Sequence, residues 1–139
     1  MLQILNIFSS FALFGLIWCI QLVHYPLFDR LEQSKFMSHM NFHKQRISII
    51  VVPLMLMELI SSGILAFGDG WIGTLNLIGF LVVIAIWLVT FFVQVPIHGK
   101  LSNGFDEGSV KRLVRSNWIR TFLWSIKSGI SLYVLYLLI

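Results

Sequence analysis

The sequence predicts an all-α integral membrane protein, a four-helix up-and-down bundle, and three observations carry that prediction. Composition is the first: 58% of the 139 residues are hydrophobic, only 12% are charged, and the mean hydropathy is +0.87. Soluble domains run nearer a quarter charged. The second is length. Four apolar segments, at 2–26, 47–67, 71–97 and 118–139, each reach the ~20 residues needed to cross a hydrocarbon core of ~30 Å. The third is charge placement, because all ten Lys and Arg residues lie at one end of those segments or dip in from it. Little chain is left over, so residues 1–139 read as one domain.

The first segment has neither a basic leader nor a small-x-small cleavage pattern, and its apolar run is longer than a signal peptide needs. It is expected to stay as a span. Cys19 is the only cysteine, has no intrachain disulfide partner, and is expected as a small buried hydrophobe. The next stretch, LFDRLEQSKFMSHMNFHKQR, lacks Gly and Pro and spaces Leu27, Leu31, Phe36, Met40 and His43 near helical period. That pattern predicts an interfacial helix at 29–43 leading into the second span. FGDGW is the tight connection to the third span. SNGFDEGS, with its Asn-Gly and Glu-Gly pairs, is a turn before SVKRLVRSN opens the last helix early.

Arg30, Lys35, Lys44 and Arg46 surround the first connection, and Lys100, Lys111, Arg112 and Arg115 the third. Arg120 and Lys127 follow inside the fourth span, whereas the opposite turn carries only Asp69. The positive-inside rule then places the basic connections in the cytoplasm of a bacterial inner membrane and both termini outside. The pI near 9.6 reflects this topology and contact with anionic headgroups, so no nucleic-acid partner is expected. The expected partners are the lipid bilayer and a lipophilic small molecule. Ser125-x-x-x-Gly129 is the face through which a homo-oligomer or larger complex would pack.

The two halves also look alike. Trp18, Tyr25-Pro26 and His43-x-x-Arg46 correspond to Trp87, Val95-Pro96 and Asn117-x-x-Arg120, which suggests two repeated helical hairpins.

An up-and-down bundle brings the end of span one, the start of two, the end of three and the start of four to one face. All four histidines, His24, His39, His43 and His98, fall there with Gln21, Gln94, Asn117, Arg46 and Arg120. His39 and His43 have the i, i+4 spacing of two ligands to one metal, and His24 and His98 would complete the set. Iron, copper or haem are the groups such a site admits, and the residues alone do not choose among them. Gln94 and His98 flank Pro96, which frees the Phe92 carbonyl, so this helix end is expected to bend and His98 to point inward. Glu58 and Lys127 lie deep in the second and fourth spans, where a lone charge is costly, and are expected to face each other.

Val95-Pro96-Ile97 with Leu101, then Asn117-x-x-Arg120-Thr121, resembles the signature of the anthrone oxygenase-like family of small four-helix membrane proteins. In that family a Val-Pro-Leu-Asn-x-x-Leu segment ends helix three, and Asn-x-x-Arg-Thr opens helix four. The resemblance covers residues 95–124, and His98 stands where the family usually has asparagine. Fungal members oxidise an anthrone polyketide to a quinone with dioxygen. The resemblance therefore implies a membrane oxidoreductase for a lipophilic substrate. Asn117, Arg120, Glu58 and Lys127 are the candidate catalytic residues, while Trp18, Gln21, Trp87, Gln94, Trp118 and Trp124 are expected to contact substrate. The competing reading is a non-catalytic bundle, either a small transporter or an accessory subunit.

The charge asymmetry makes a topological prediction. In a Cys19→Ser background, a single cysteine at position 70 should react with a membrane-impermeant thiol reagent from outside. Labelling from the cytoplasmic side alone overturns the orientation.

Overall fold

The structure, a computed structural model, describes residues 1–139 apart from the side chains of Asp29 and Arg30, so Arg30's share of the basic end lies outside the described residues. Its elements are α1 (Leu2–Cys19), a π-helical turn (Ile20–His24), a 3₁₀ stretch (Tyr25–Arg30), α2 (Gln33–Leu65) and α3 (Gly70–Val89). A second π-helical turn (Thr90–Gln94), α4 (Val95–Asn103) and α5 (Glu107–Leu138) follow. No strand occurs among the described residues. The stretches Leu2–Phe28, Gln33–Leu65, Gly70–Asn103 and Glu107–Leu138 are each long and apolar enough to cross a membrane. α1 packs on α2 and α5, and α3 packs on the same two, which leaves α1 and α3 diagonal in a four-helix bundle.

The two π turns share one setting, each ending just before a proline, although Pro53 sits inside α2 without one. Proline has no N–H and its ring collides with the carbonyl four residues back, so an α-helical ladder cannot run through it undisturbed. Before Tyr25-Pro26 the ladder widens over five residues, and the Tyr25 N–H donates to the Ile20 carbonyl. Before Val95-Pro96 it widens over five residues again, and the Val95 N–H donates to the Thr90 carbonyl. The same device recurs at the same place in both hairpins, and π turns of this kind concentrate at functional sites.

α2 departs from the sequence reading. The expected interfacial helix at 29–43 and the span at 47–67 are one unbroken helix of 33 residues, about 50 Å long. Phe36 and Met40 do not lie on headgroups. They are fully buried in one cluster with Phe28, Leu101 and Leu113, so the bundle's core continues to its basic end. α5 likewise starts at Glu107, well before 118, and the third span runs to Asn103. The α5 start is fixed by Asp106, whose carboxyl accepts from the Ser109 N–H at 2.9 Å and from Lys100 Nζ at 2.8 Å. Those contacts, the Lys100 bond foremost, hold the Asp106 pKa down to about 2.

The outer surface is apolar along every span: Phe8, Leu22, Ile49, Ile60, Leu81, Phe92, Phe122 and Leu132 are all exposed. Such a surface suits lipid and not water. Cys19 belongs to it. It is exposed and not buried as expected, because in a helix this uniformly apolar the hydrophobic pattern does not reveal which side faces inward.

The α2–α3 turn is tight. Gly70 takes φ +69°, which makes its exposed neighbour Phe67 the better place for a labelling cysteine. A Cβ on Gly73 would lie 2.0 Å from the Gly68 carbonyl oxygen, whereas a Cβ on Gly15 would meet nothing within 4 Å. Gly73→Ala should therefore cost about 1–3 kcal/mol, read as a lower thermal midpoint in detergent, and Gly15→Ala should cost nothing. Equal midpoints for the two variants would contradict this packing.

Candidate functional site

Three of the four histidines come together at the basic end, carried there by the two π turns and by α2. The His24 and His43 rings stack with centroids 4.0 Å apart and planes 22° apart. His98, in the first turn of α4, follows at 6.2 Å from His43 and 30°. Its Nε2 is 3.5 Å from the Tyr25 hydroxyl, at the outer limit of a hydrogen bond. His24 Nε2 and His98 Nδ1 are shielded and have no partner. His98 therefore does point inward, toward Tyr25. His39 is exposed, on the same face of α2 as His43.

Below the histidines lies Arg120, buried, with Nη1 donating to Asn117 Oδ1 at 3.2 Å. Asn117 Nδ2 donates in turn to Gln21 Oε1 at 2.8 Å, and Gln21 Nε2 to the Val114 carbonyl at 3.3 Å. The guanidinium rests 5.0 Å above the Trp124 ring, and its Nε has no partner. No described carboxyl pairs with it. Gln94 donates to Ser116 Oγ at 3.1 Å, leaving its own carbonyl oxygen buried without a partner.

Two cavities open around this cluster. One, of about 620 Å³, lies between the end of the first span and α2, and its polar lining is His24, His39, His43 and Arg46. The other, of about 510 Å³, lies between α2 and the third span, with Tyr25, His98 and Arg120 on its inner wall. Val52, Leu56, Phe91 and Val95 line it and are also exposed on the outer surface, so its mouth opens on the bundle's apolar outer face. His43 and Ile47 line both cavities and form the partition.

Of the residues expected to touch substrate, Trp87 lines the second cavity and the other five do not. Trp18 donates to Ser125 Oγ at 3.2 Å, which ties up half of the Ser125-x-x-x-Gly129 face. Trp118 is 46% exposed, edge-on to Trp18. Gln21 and Gln94 brace α5, and Trp124 supports Arg120 from below. The sequence reading missed Tyr25 and Thr90, though each stands in or beside a π turn, where a search for polar side chains would have found it.

The histidines do not fit the shared metal expected of them. Imidazole lone pairs lie in the ring plane, so two nearly parallel rings 4.0 Å apart cannot both aim at one ion. Among the described residues no group of three or more His, Cys, Asp or Glu is placed to hold a metal.

Glu58 and Lys127 line neither cavity. They stand on diagonal helices and meet through α1 without a direct ion pair. Lys127 Nζ donates to Ser10 Oγ at 3.0 Å, and Ser10 Oγ donates to Glu58 Oε1 at 2.8 Å. Lys127 also donates to Asn6 Oδ1 at 2.9 Å and Ser131 Oγ at 3.0 Å, and Glu58 Oε2 accepts from Trp124 Nε1 at 3.0 Å. α3 contributes Gly79, where a Cβ would touch the Lys127 stem at 3.4 Å. α1 bonds this amine directly, α2 reaches it through Ser10 and Asn6, and α3 passes beside its stem.

The fold and site together define a four-helix bundle with four helices able to span a membrane and a histidine- and arginine-lined cavity pair at its basic end. No family model, no curated protein and no solved structure matches this chain.

A stability cycle tests the network. Glu58→Leu or Lys127→Leu alone strands a buried polar group and should cost about 3–5 kcal/mol, while the double variant costs far less. Ser10→Ala should remove most of that coupling. Additive losses, measured as thermal midpoints in detergent, would mean the two groups act independently.

Proposed function

We propose that this protein is a membrane-embedded, oxygenase-like oxidoreductase whose lipophilic substrate enters the second cavity from the bilayer. The observation that carries this reading is Arg120. A buried guanidinium without a carboxyl partner is costly to keep, and this one lines a hydrocarbon-walled cavity open toward lipid. An oxygen anion on a lipophilic ligand would complete it.

Anthrone-type substrates supply such an oxygen. Their ring methylene is conjugated with a carbonyl, so removing one proton moves the charge onto the carbonyl oxygen. Arg120 stabilises that oxyanion, Asn117 holds the guanidinium in place, and the His98 imidazole is the base that takes the proton. Tyr25 orients His98. The electron-rich carbanion then reacts with dioxygen. The methylene loses two hydrogens and gains one oxygen as a ketone, and the second oxygen leaves as water. No step requires a metal, in keeping with the stacked rings. The residues shared with the anthrone oxygenase-like signature support the reading, since Val95 and Arg120 line this cavity and Asn117 positions Arg120. Glu58 and Lys127 are structural in this scheme, and the basic end faces the cytoplasm.

Oxygen uptake by detergent-purified protein with a hydroxylated anthrone is the test. Arg120→Gln should lower kcat/KM by about 10²–10³-fold, the usual cost of losing an oxyanion donor, with the protein still folded. Uptake no faster than the spontaneous reaction would favour a non-catalytic bundle.

A further inference from the structure

The first cavity lies outside the proposed chemistry and has the polarity of a different ligand. One face of α2 carries His39, His43, Arg46 and Ile50 at spacings of four, three and four residues. At about 1.5 Å per residue that row spans roughly 16 Å, from the basic end into the apolar span. Along α2 the imidazoles and Arg46 come first and Ile47 and Ile50 follow deeper, while the facing wall carries His24 and, nearer the basic end, Leu27, Phe28 and Leu31. The Arg46 guanidinium rests 5.4 Å above the Phe42 ring at the rim, and none of its N–H groups has a described hydrogen-bond partner. His24 Nε2, on the opposite wall, is likewise unpartnered. No described carboxyl lines the cavity.

We propose that this cavity binds an anionic glycerophospholipid of the basic-end leaflet, phosphate at Arg46 and His39, one acyl chain against Ile47 and Ile50. The order of groups along α2 is the order of groups in such a lipid. About 620 Å³ holds a phosphate, the glycerol and the first part of one chain, not a whole lipid. Arg46 offers the planar fork that suits a phosphate. The charge argues against a choline lipid, whose own cation would be brought beside Arg46 and the imidazoles, whereas phosphatidylglycerol carries none. A basic surface alone attracts anionic lipid diffusely. A cavity with an unpartnered guanidinium at its mouth and hydrocarbon at its floor makes the attraction local.

The full chain in neutral detergent, titrated with phosphatidylglycerol, phosphatidylcholine or inorganic phosphate, tests this by thermal midpoint and native mass spectrometry. Phosphatidylglycerol should raise the midpoint and stay bound at one copy, with phosphatidylcholine and phosphate far weaker. Arg46→Gln and His39→Gln should each weaken phosphatidylglycerol binding, the former about tenfold or more. Arg112→Gln removes the same charge from the basic end outside this cavity and should leave binding unchanged. Should Arg46→Gln fold poorly, Arg46→Lys, which keeps the charge and loses the fork, should still bind more weakly than the parent. Equal binding of phosphatidylcholine, equal binding of inorganic phosphate, or an equal loss in Arg112→Gln would each overturn the proposal.

Discussion

A polar group buried among apolar side chains finds a partner in the protein or finds none, and Lys127 shows how far that constraint shapes this bundle. The amine has three N–H groups, and three oxygens receive them: Asn6 and Ser10 from α1 and Ser131 from its own helix. Asn6 donates onward to Ser61 and Ser62 of α2 at 2.9 and 2.7 Å, and Ser10 to Glu58. Since a slip of any helix by one residue would unmake these bonds together, the network sets the register of the bundle. Nonspecific packing of lipid-like side chains could not, because Leu against Leu is no better than Leu against lipid.

With the register set, the prolines decide what happens at the basic end. A π turn advances the chain by one extra residue, so everything beyond it rotates relative to the α-helical frame. In the first span that rotation delivers His24 and Tyr25 to the bundle, and in the third it delivers His98. The opening between α2 and the third span follows from the same irregularity, with Thr90 and Phe91 of the second π turn on its wall. Part of the cavity's polar lining, Tyr25, Thr90 and His98, thus belongs to the two irregular helices, while His43 and Arg120 come from α2 and α5.

The four spans, the basic end and the gathering of histidines there were legible in the sequence, because each follows from length or from charge and neither depends on contacts. What was not legible depended on distant partners. Whether residues 29–43 lay flat or continued α2 was decided by Phe36 and Met40 finding Leu101 and Leu113, more than sixty residues away. The expectation that Glu58 and Lys127 face each other was close, yet diagonal helices need an intermediary, and Ser10 looks like any other small residue of an apolar span. A reading that noticed Asn6, Ser9 and Ser10 on one face of α1 would have found it. Histidine spacing showed that rings would meet without showing that they would stack, and stacking is what turns a ligand set into a wall.

Arg120 and Lys127 stand seven residues apart on one helix and are both buried. They share a face, a sign of charge and a similar cost of desolvation. Lys127 recovers that cost by donating three hydrogen bonds to neighbouring oxygens. Arg120 has five N–H groups, of which one finds Asn117, and a ring beneath it. Nothing prevented a second set of serines at that level, since the bundle supplies them freely two helical turns further on. The shortfall at Arg120 coincides with a cavity and the satisfaction at Lys127 with solid packing. A cation left short of acceptors at the wall of a space, beside one that is fully served, is what separates the residue proposed to meet a ligand from the residue that holds the fold.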